Sequence, residues 1–211
     1  MEELQMGKKM RSILVGLILT VSFISGADLA ADTPGNIEGK VKVTRTRTSA
    51  DVVVYLELVG ENNFDPPKEH AVMDQKKLTF LPHVLPILKG TTVDFMNSDD
   101  VKHNIFSREE VADKFNLGTY AKGMVKTHTF NKSGEAILLC NVHSDMEAYI
   151  VVMPNPYFAK TDKTGNFKIE NVPPGNYTLK TWHEKKKSLS QEVNVEAGNA
   201  TIVNLTLSKR R

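Results

Sequence analysis

From residue 37 onward the chain advances in short runs rich in valine, isoleucine, threonine and aromatic residues, each cut off by glycine or proline. That punctuation restricts it to sheets. Residues 37–44 and 51–59 are the first two runs, and ENNFDPPKEH, with Pro66 and Pro67, reads as a loop or boundary. The pattern resumes at Lys77 with KKLTFLP, VLPILKG and TTVDFMN, then continues through KTHTFN, a turn at Lys132-Ser133-Gly134, EAILLC and AYIVVMP. Beyond Pro154 the sequence is strand, turn, strand throughout, with turns at Gly165, Pro173-Pro174-Gly175 and Gly198. One helical signal interrupts the series. Ser107, followed three residues later by Glu110, forms an S-x-x-E capping box that predicts a short helix ending by Gly118. The expected class is all-β.

Against this background three soft donors fall within seven residues: Cys140, His143 and Met146, spaced C-x2-H-x2-M in ILLCNVHSDM. Cys140 is the single cysteine of the sequence, so it forms no disulfide within the chain. Thiolate, imidazole and thioether together suit copper cycling between its two oxidation states, and a His2Cys plane with a weak axial Met is the electron-transfer arrangement. A second imidazole must then come from another segment. His103, in NSDDVKHNIF just past the TTVDFMN run, is the residue that a loop between strands would deliver. The amide of Asn104 is expected to hydrogen-bond across to the ligand loop and fix its orientation. A structural zinc site would normally lack the thioether, and a Cys-His hydrolase recruits its histidine from a distant segment.

The stretch LTFLPHVLPILKGTTVDFMNSDDVKHNIF followed by SGEAILLCNVHSDM resembles the cupredoxin family, the amicyanin- and plastocyanin-like blue copper proteins, over residues 67–154. The resemblance implies a Greek-key β-sandwich holding one type 1 copper on His103, Cys140, His143 and Met146, with Asn104 in support. It further implies a carrier of single electrons between transient redox-protein partners that transforms no substrate and so is not an enzyme. The edge of His143, within an apolar patch to which Val142 contributes, would be the electron's exit. Copper storage or delivery in an exported compartment is the alternative, since the same donors also favour Cu(I).

A second resemblance lies downstream. TDKTGNFKIENVPPGNYTLKTW is similar to the carboxypeptidase regulatory-like, transthyretin-like β-sandwich family, with matches at Thr161, Asp162, Gly165, Phe167 and residues 173–177. No catalytic residue accompanies it. Four strands in about fifty residues bury too little surface for an independent sandwich. That family opens with G-x-V and then A-x-V-x-V, and this chain carries Gly39-Lys40-Val41 and Ala50-Asp51-Val52 on the far side of the cupredoxin block. Residues 36–62 and 155–208 are therefore expected to form one smaller, discontinuous sandwich with the cupredoxin inserted. The competing division makes 36–154 the cupredoxin and 155–211 a small β-domain. The partner of residues 52–56 discriminates: residues 167–169 or their neighbours for the insertion, residues 91–95 for its rival.

The opening MEELQMGKKMR carries Lys8, Lys9 and Arg11 ahead of the apolar SILVGLILTVSFIS, and Ser25-Gly26-Ala27 supplies small residues for cleavage. Residues 1–27 read as a signal peptide; about fourteen apolar or small residues fall short of the roughly twenty a spanning helix requires. The mature chain is thus expected to be exported, to the periplasm or outside the cell, with no stable membrane insertion. Its removal leaves 24 basic against 23 acidic side chains, a net charge near +1, which points to neither nucleic acid nor an anionic membrane as partner. Nothing in the sequence sets an oligomeric state. Four further histidines receive no metal role: His83 is read as structural, His128 as solvent-facing, and His70 and His183 as surface partners of the adjacent Glu69 and Glu184. Lys185, Lys186 and Lys187 read as a solvated loop tip that could guide an acidic partner.

Overall fold

The computed structural model describes residues 33–57, 64–108 and 114–208. The expected signal peptide and the Glu110 end of the expected capping box lie outside these residues. Among the described residues the chain forms sixteen strands and no helix. They are β1 (Gly35–Val43), β2 (Val53–Leu56), β3 (Ala71–Gln75), β4 (Phe80–Leu81), β5 (Val84–Leu88), β6 (Thr92–Asn97), β7 (His103–Ser107) and β8 (Phe115–Tyr120). The rest are β9 (Val125–Thr129), β10 (Gly134–Leu139), β11 (Glu147–Met153), β12 (Phe158–Lys160), β13 (Asn166–Val172), β14 (Gly175–Trp182), β15 (Ser190–Val195) and β16 (Ala200–Leu207). The fold is all-β, as the punctuated sequence predicts.

Two sandwiches result. In the first, a sheet ordered β13-β1-β16 faces one ordered β12-β2-β14-β15 across a core that includes Ile37, Val41, Leu56, Ile169, Leu179 and Leu205. Strand β2 pairs with β14 (Val53 opposite Trp182) and with β12 (Tyr55 opposite Phe158). It does not pair with β6, whose neighbours are β3 and β9. In the second sandwich, β5-β11-β10-β7-β8 faces β4-β3-β6-β9 over Met73, Phe95, Ile105, Phe130, Leu138 and Ile150.

Strand β1 explains why a glycine stands at position 39. It lies between β13 and β16, with Gly39 opposite Phe167 on one side and Val203 on the other. A Cβ at this position would stand 1.7 Å from the carbonyl oxygen of Val203. The obstacle is backbone, which cannot rotate aside, so Gly39→Ala is expected to cost about 3 kcal/mol, the upper end for overpacking. Denaturant midpoints of the two proteins measure it.

The turn between β12 and β13 is organised by one carboxylate. Asp162 accepts the backbone N–H and hydroxyl of Thr164 (2.8 and 2.7 Å) and the backbone N–H of Asn166 (2.9 Å). The Thr164 hydroxyl, then the Asn166 N–H, pull its pKa from 3.8 down to about 2. A depressed carboxylate stabilises the fold fully above its unfolded value and loses that contribution as the pH falls through the folded one. The Asp162 carboxyl is expected to titrate by NMR near pH 2, and Thr164→Ala to move that midpoint upward.

β11 joins the two sandwiches. All but its first residue are buried, and successive side chains point to opposite faces. Ala148, Ile150 and Val152 enter the core beside β10, whereas Tyr149, Val151 and Met153 form a separate cluster with Val53 of β2 and Val84 of β5. Polar contacts close the seam: Trp182 Nε1 donates to Glu135 (2.9 Å) and Lys160 Nζ to the Val84 carbonyl (2.7 Å).

Several local expectations need correction. The segment from Phe115 to Gly118 is strand, not helix, because pairing of β8 with β7 (His103 opposite Tyr120) overrides the local capping signal. Strand β3 begins six residues before the expected resumption at Lys77. Lys186 is not a solvated tip; it is buried, and its ammonium donates to the Thr44 carbonyl at 2.8 Å.

Candidate metal centre

The site is assembled by register. β7 and β10 run antiparallel with Leu139 opposite Phe106, so the chain leaving β10 at Cys140 passes back along β7 towards its first residue, His103. Nδ1 of His103 lies 3.9 Å from Cys140 Sγ and 3.1 Å from His143 Nδ1. One ligand atom from each of the three residues falls within 4.8 Å of the others. His103 is fully buried and Cys140 is 5% exposed; His143 is half-buried. Next to it, Val142 is 50% exposed. His103 opens a strand instead of lying in a loop, which holds it more firmly than the sequence suggested.

A carboxylate fixes the imidazole from behind. His103 Nε2 is 2.9 Å from Asp99 Oδ2, and Nδ1 is the ring nitrogen turned towards Sγ and His143. Asp99 also accepts the backbone N–H groups of Lys77 (2.5 Å) and Leu78 (2.9 Å). Burial pushes its carboxyl pKa up, but the bonds from Leu78, His103 and Lys77 outweigh it and hold the group below the usual carboxylate value. Asp99 escaped the sequence reading because an aspartate in NSDD looks like a turn former. The signal available was its position four residues before the histidine.

Met146 lies in the same loop, where its N–H donates to the His143 carbonyl at 3.1 Å. Its side chain is 1% exposed and belongs to the core cluster that contains Cys140. Asn104 is buried next to His103, but its amide donates to Asn116 Oδ1 of β8 (2.8 Å). It therefore tethers β7 to β8, and the expected bond to the ligand loop is replaced. The remaining histidines lie elsewhere. His83 stacks edge-on against Tyr149 and lies 3.4 Å from Glu184; His70 pairs with Asp94, not Glu69; His183 Nδ1 accepts the Lys185 N–H. His128 is not solvent-facing. It stacks on Phe115 at 4.3 Å and packs edge-on against Phe130.

The donor set suits a copper ion. Separations of 3.1 and 3.9 Å are those subtended by nitrogen and sulfur donors each about 2.0–2.3 Å from a shared centre, and the thiolate and imidazoles are the donor types copper prefers. Residues 68–153 match the family model of copper binding proteins, plastocyanin/azurin family, and residues 147–208 match that of the carboxypeptidase regulatory-like domain. The chain thus matches a copper-binding family model and a carboxypeptidase regulatory-like one in succession. The two matches overlap on β11, the strand that serves both cores. Similar solved structures include the Cu-containing nitrite reductase from Thermus scotoductus SA-01, 26% identical over 47% of this chain and 25% of that one, with a TM-score of 0.40. Thus the chain spans a quarter of that reductase. An amicyanin variant in its reduced Cu(I) form is 22% identical over 41% of this chain and 85% of its own, at a TM-score of 0.38. The purple cupredoxin from Nitrosopumilus maritimus is 26% identical over 39% of this chain and 99% of its own, at 0.36. No curated protein matches the chain significantly.

Proposed function

We propose that this protein is an exported blue copper protein that carries single electrons between redox partners and transforms no substrate. The observation that carries the reading is the convergence of His103, Cys140 and His143 on one buried point. One type 1 copper, which His103, Cys140, His143 and Met146 would hold, would supply the one-electron chemistry. The chain's own part is to hold its ligands nearly unchanged through both oxidation states. His103 is clamped in β7 by Asp99, and Cys140 leaves the end of β10 inside the core. This restraint favours a carrier over a storage or delivery protein, which needs no rigid plane.

His143 is the outlet in this reading. Its ring is half-buried beside exposed Val142, which suits brief contact with partner proteins over a small interface, below about 1,200 Å². Export is supported by the Lys- and Arg-led apolar opening of the chain. The same reading treats residues 36–62 with 155–208 as one sandwich and 67–154 as the cupredoxin inserted in it. The pairing of β1 with β13 and β16, and of β2 with β12 and β14, supports that division. Titration of the mature protein with Cu(II) is expected to give an intense thiolate-to-copper visible band with narrow copper hyperfine splitting, saturating at one equivalent. A colourless protein that binds only Cu(I) would instead indicate storage or delivery.

A further inference from the structure

We propose that Asp99 is a positioning residue of the metal centre, holding His103 as the Nε2–H tautomer and biasing the site towards Cu(II) through that bond. The inference rests on the blue-copper reading and deepens it. Asp99 is not a loosely placed surface group. Its side chain is 12% exposed, its oxygens accept the N–H groups of Lys77 and Leu78, and its own N–H donates to Asn97 Oδ1 at 3.0 Å. Asn97 is itself buried, and its amide is tied to the carbonyls of Val101 (2.9 Å) and Tyr120 (3.1 Å). The carboxylate is therefore held on both main-chain and side-chain sides, aimed at one imidazole nitrogen.

Two effects follow from that aim. A hydrogen bond at Nε2 decides which ring nitrogen is free, and here the free one faces Cys140 and His143. A neutral carbonyl would achieve that much. A carboxylate also adds negative charge along the bond and makes Nδ1 more basic, which stabilises the more highly charged ion. The neighbouring Lys122 is exposed and pairs directly with Asp100, at 2.6 Å.

Asp99→Asn keeps an acceptor oxygen and the side-chain shape while removing the charge. In the full mature chain, its Cu(II) affinity is expected to fall 10- to 100-fold, with a smaller loss for Cu(I). Each tenfold loss in the ratio of the two affinities raises the reduction potential by about 59 mV. An unchanged ratio and potential overturn the charge effect while leaving the visible band, and hence the blue-copper reading, intact. Nitrogen-15 NMR of the metal-free wild type provides a readout that needs neither the variant nor copper. His103 is expected as a single Nε2–H tautomer, and a proton found on Nδ1 overturns the positioning role. Absence of the visible band in copper-treated wild type sinks the blue-copper reading and the Cu(II) bias together, with the NMR result still deciding whether Asp99 sets the tautomer.

Discussion

Replacing Cys140 by serine is expected to abolish the visible thiolate-to-copper band completely while leaving the protein folded. The band is a charge transfer from sulfur, and Cys140 is the only sulfur of its kind in the chain, so no neighbour can substitute for it. Serine is close to isosteric. Its hydroxyl would occupy a site that is 5% exposed, and an unsatisfied hydroxyl there costs about 1–3 kcal/mol. Thermal unfolding of the metal-free proteins should therefore differ modestly, whereas absorption and paramagnetic resonance with Cu(II) should differ wholly. A band of undiminished intensity in Cys140→Ser would refute thiolate ligation outright.

The second large effect is expected at the seam between the sandwiches. Val151 is 3% exposed and packs in the cluster formed with Val53, Val84, Tyr149 and Met153. Aspartate at that position would bury a charge within an apolar cluster, at a cost of about 3–5 kcal/mol, the range for an uncompensated buried charge. Because β11 is also part of the sheet beside β10, the damage should reach both halves. Wild type is expected to melt in one calorimetric transition; Val151→Asp is expected to melt earlier, with the transition split in two. Ile202→Asp, on a side chain that is 65% exposed, is the control and should alter stability by no more than about 1 kcal/mol. Equal effects from the two substitutions would mean that the seam contributes nothing to stability.

The strands of this protein were legible where side chains alternate or where β-branched residues crowd together, as in β1, β6 and β10. They were hidden where polarity misled. β3 follows a proline-rich polar segment and ends in Asp74-Gln75, yet Gln75 is fully buried, its amide donating to the Tyr120 hydroxyl at 2.6 Å. β8 contains Asn116 and Gly118, the latter at φ +71°, and only its long-range partner β7 makes it a strand. His128 looked outward by alternation with its threonines, but the ring of Phe115, from β8, stacks on it. The candidate donors Cys140, His143 and Met146 were readable because donor type and spacing are local properties, and the structure brings His103 to the first two of them. The clamp on His103 was not, since a carboxylate's meaning depends on which ring nitrogen it meets in three dimensions.

The double role of β11 has a practical consequence for dissecting the molecule. A cut after Pro154 would strip Phe158 and Trp182 from the apolar cluster of Val53, Val84, Tyr149, Val151 and Met153, leaving apolar surface bare on both fragments. Both pieces should clump in solution. Copper titrations are therefore best made on undivided polypeptide, because solubility of the half that contains Cys140 depends on a neighbour that contributes none of the three clustered side chains.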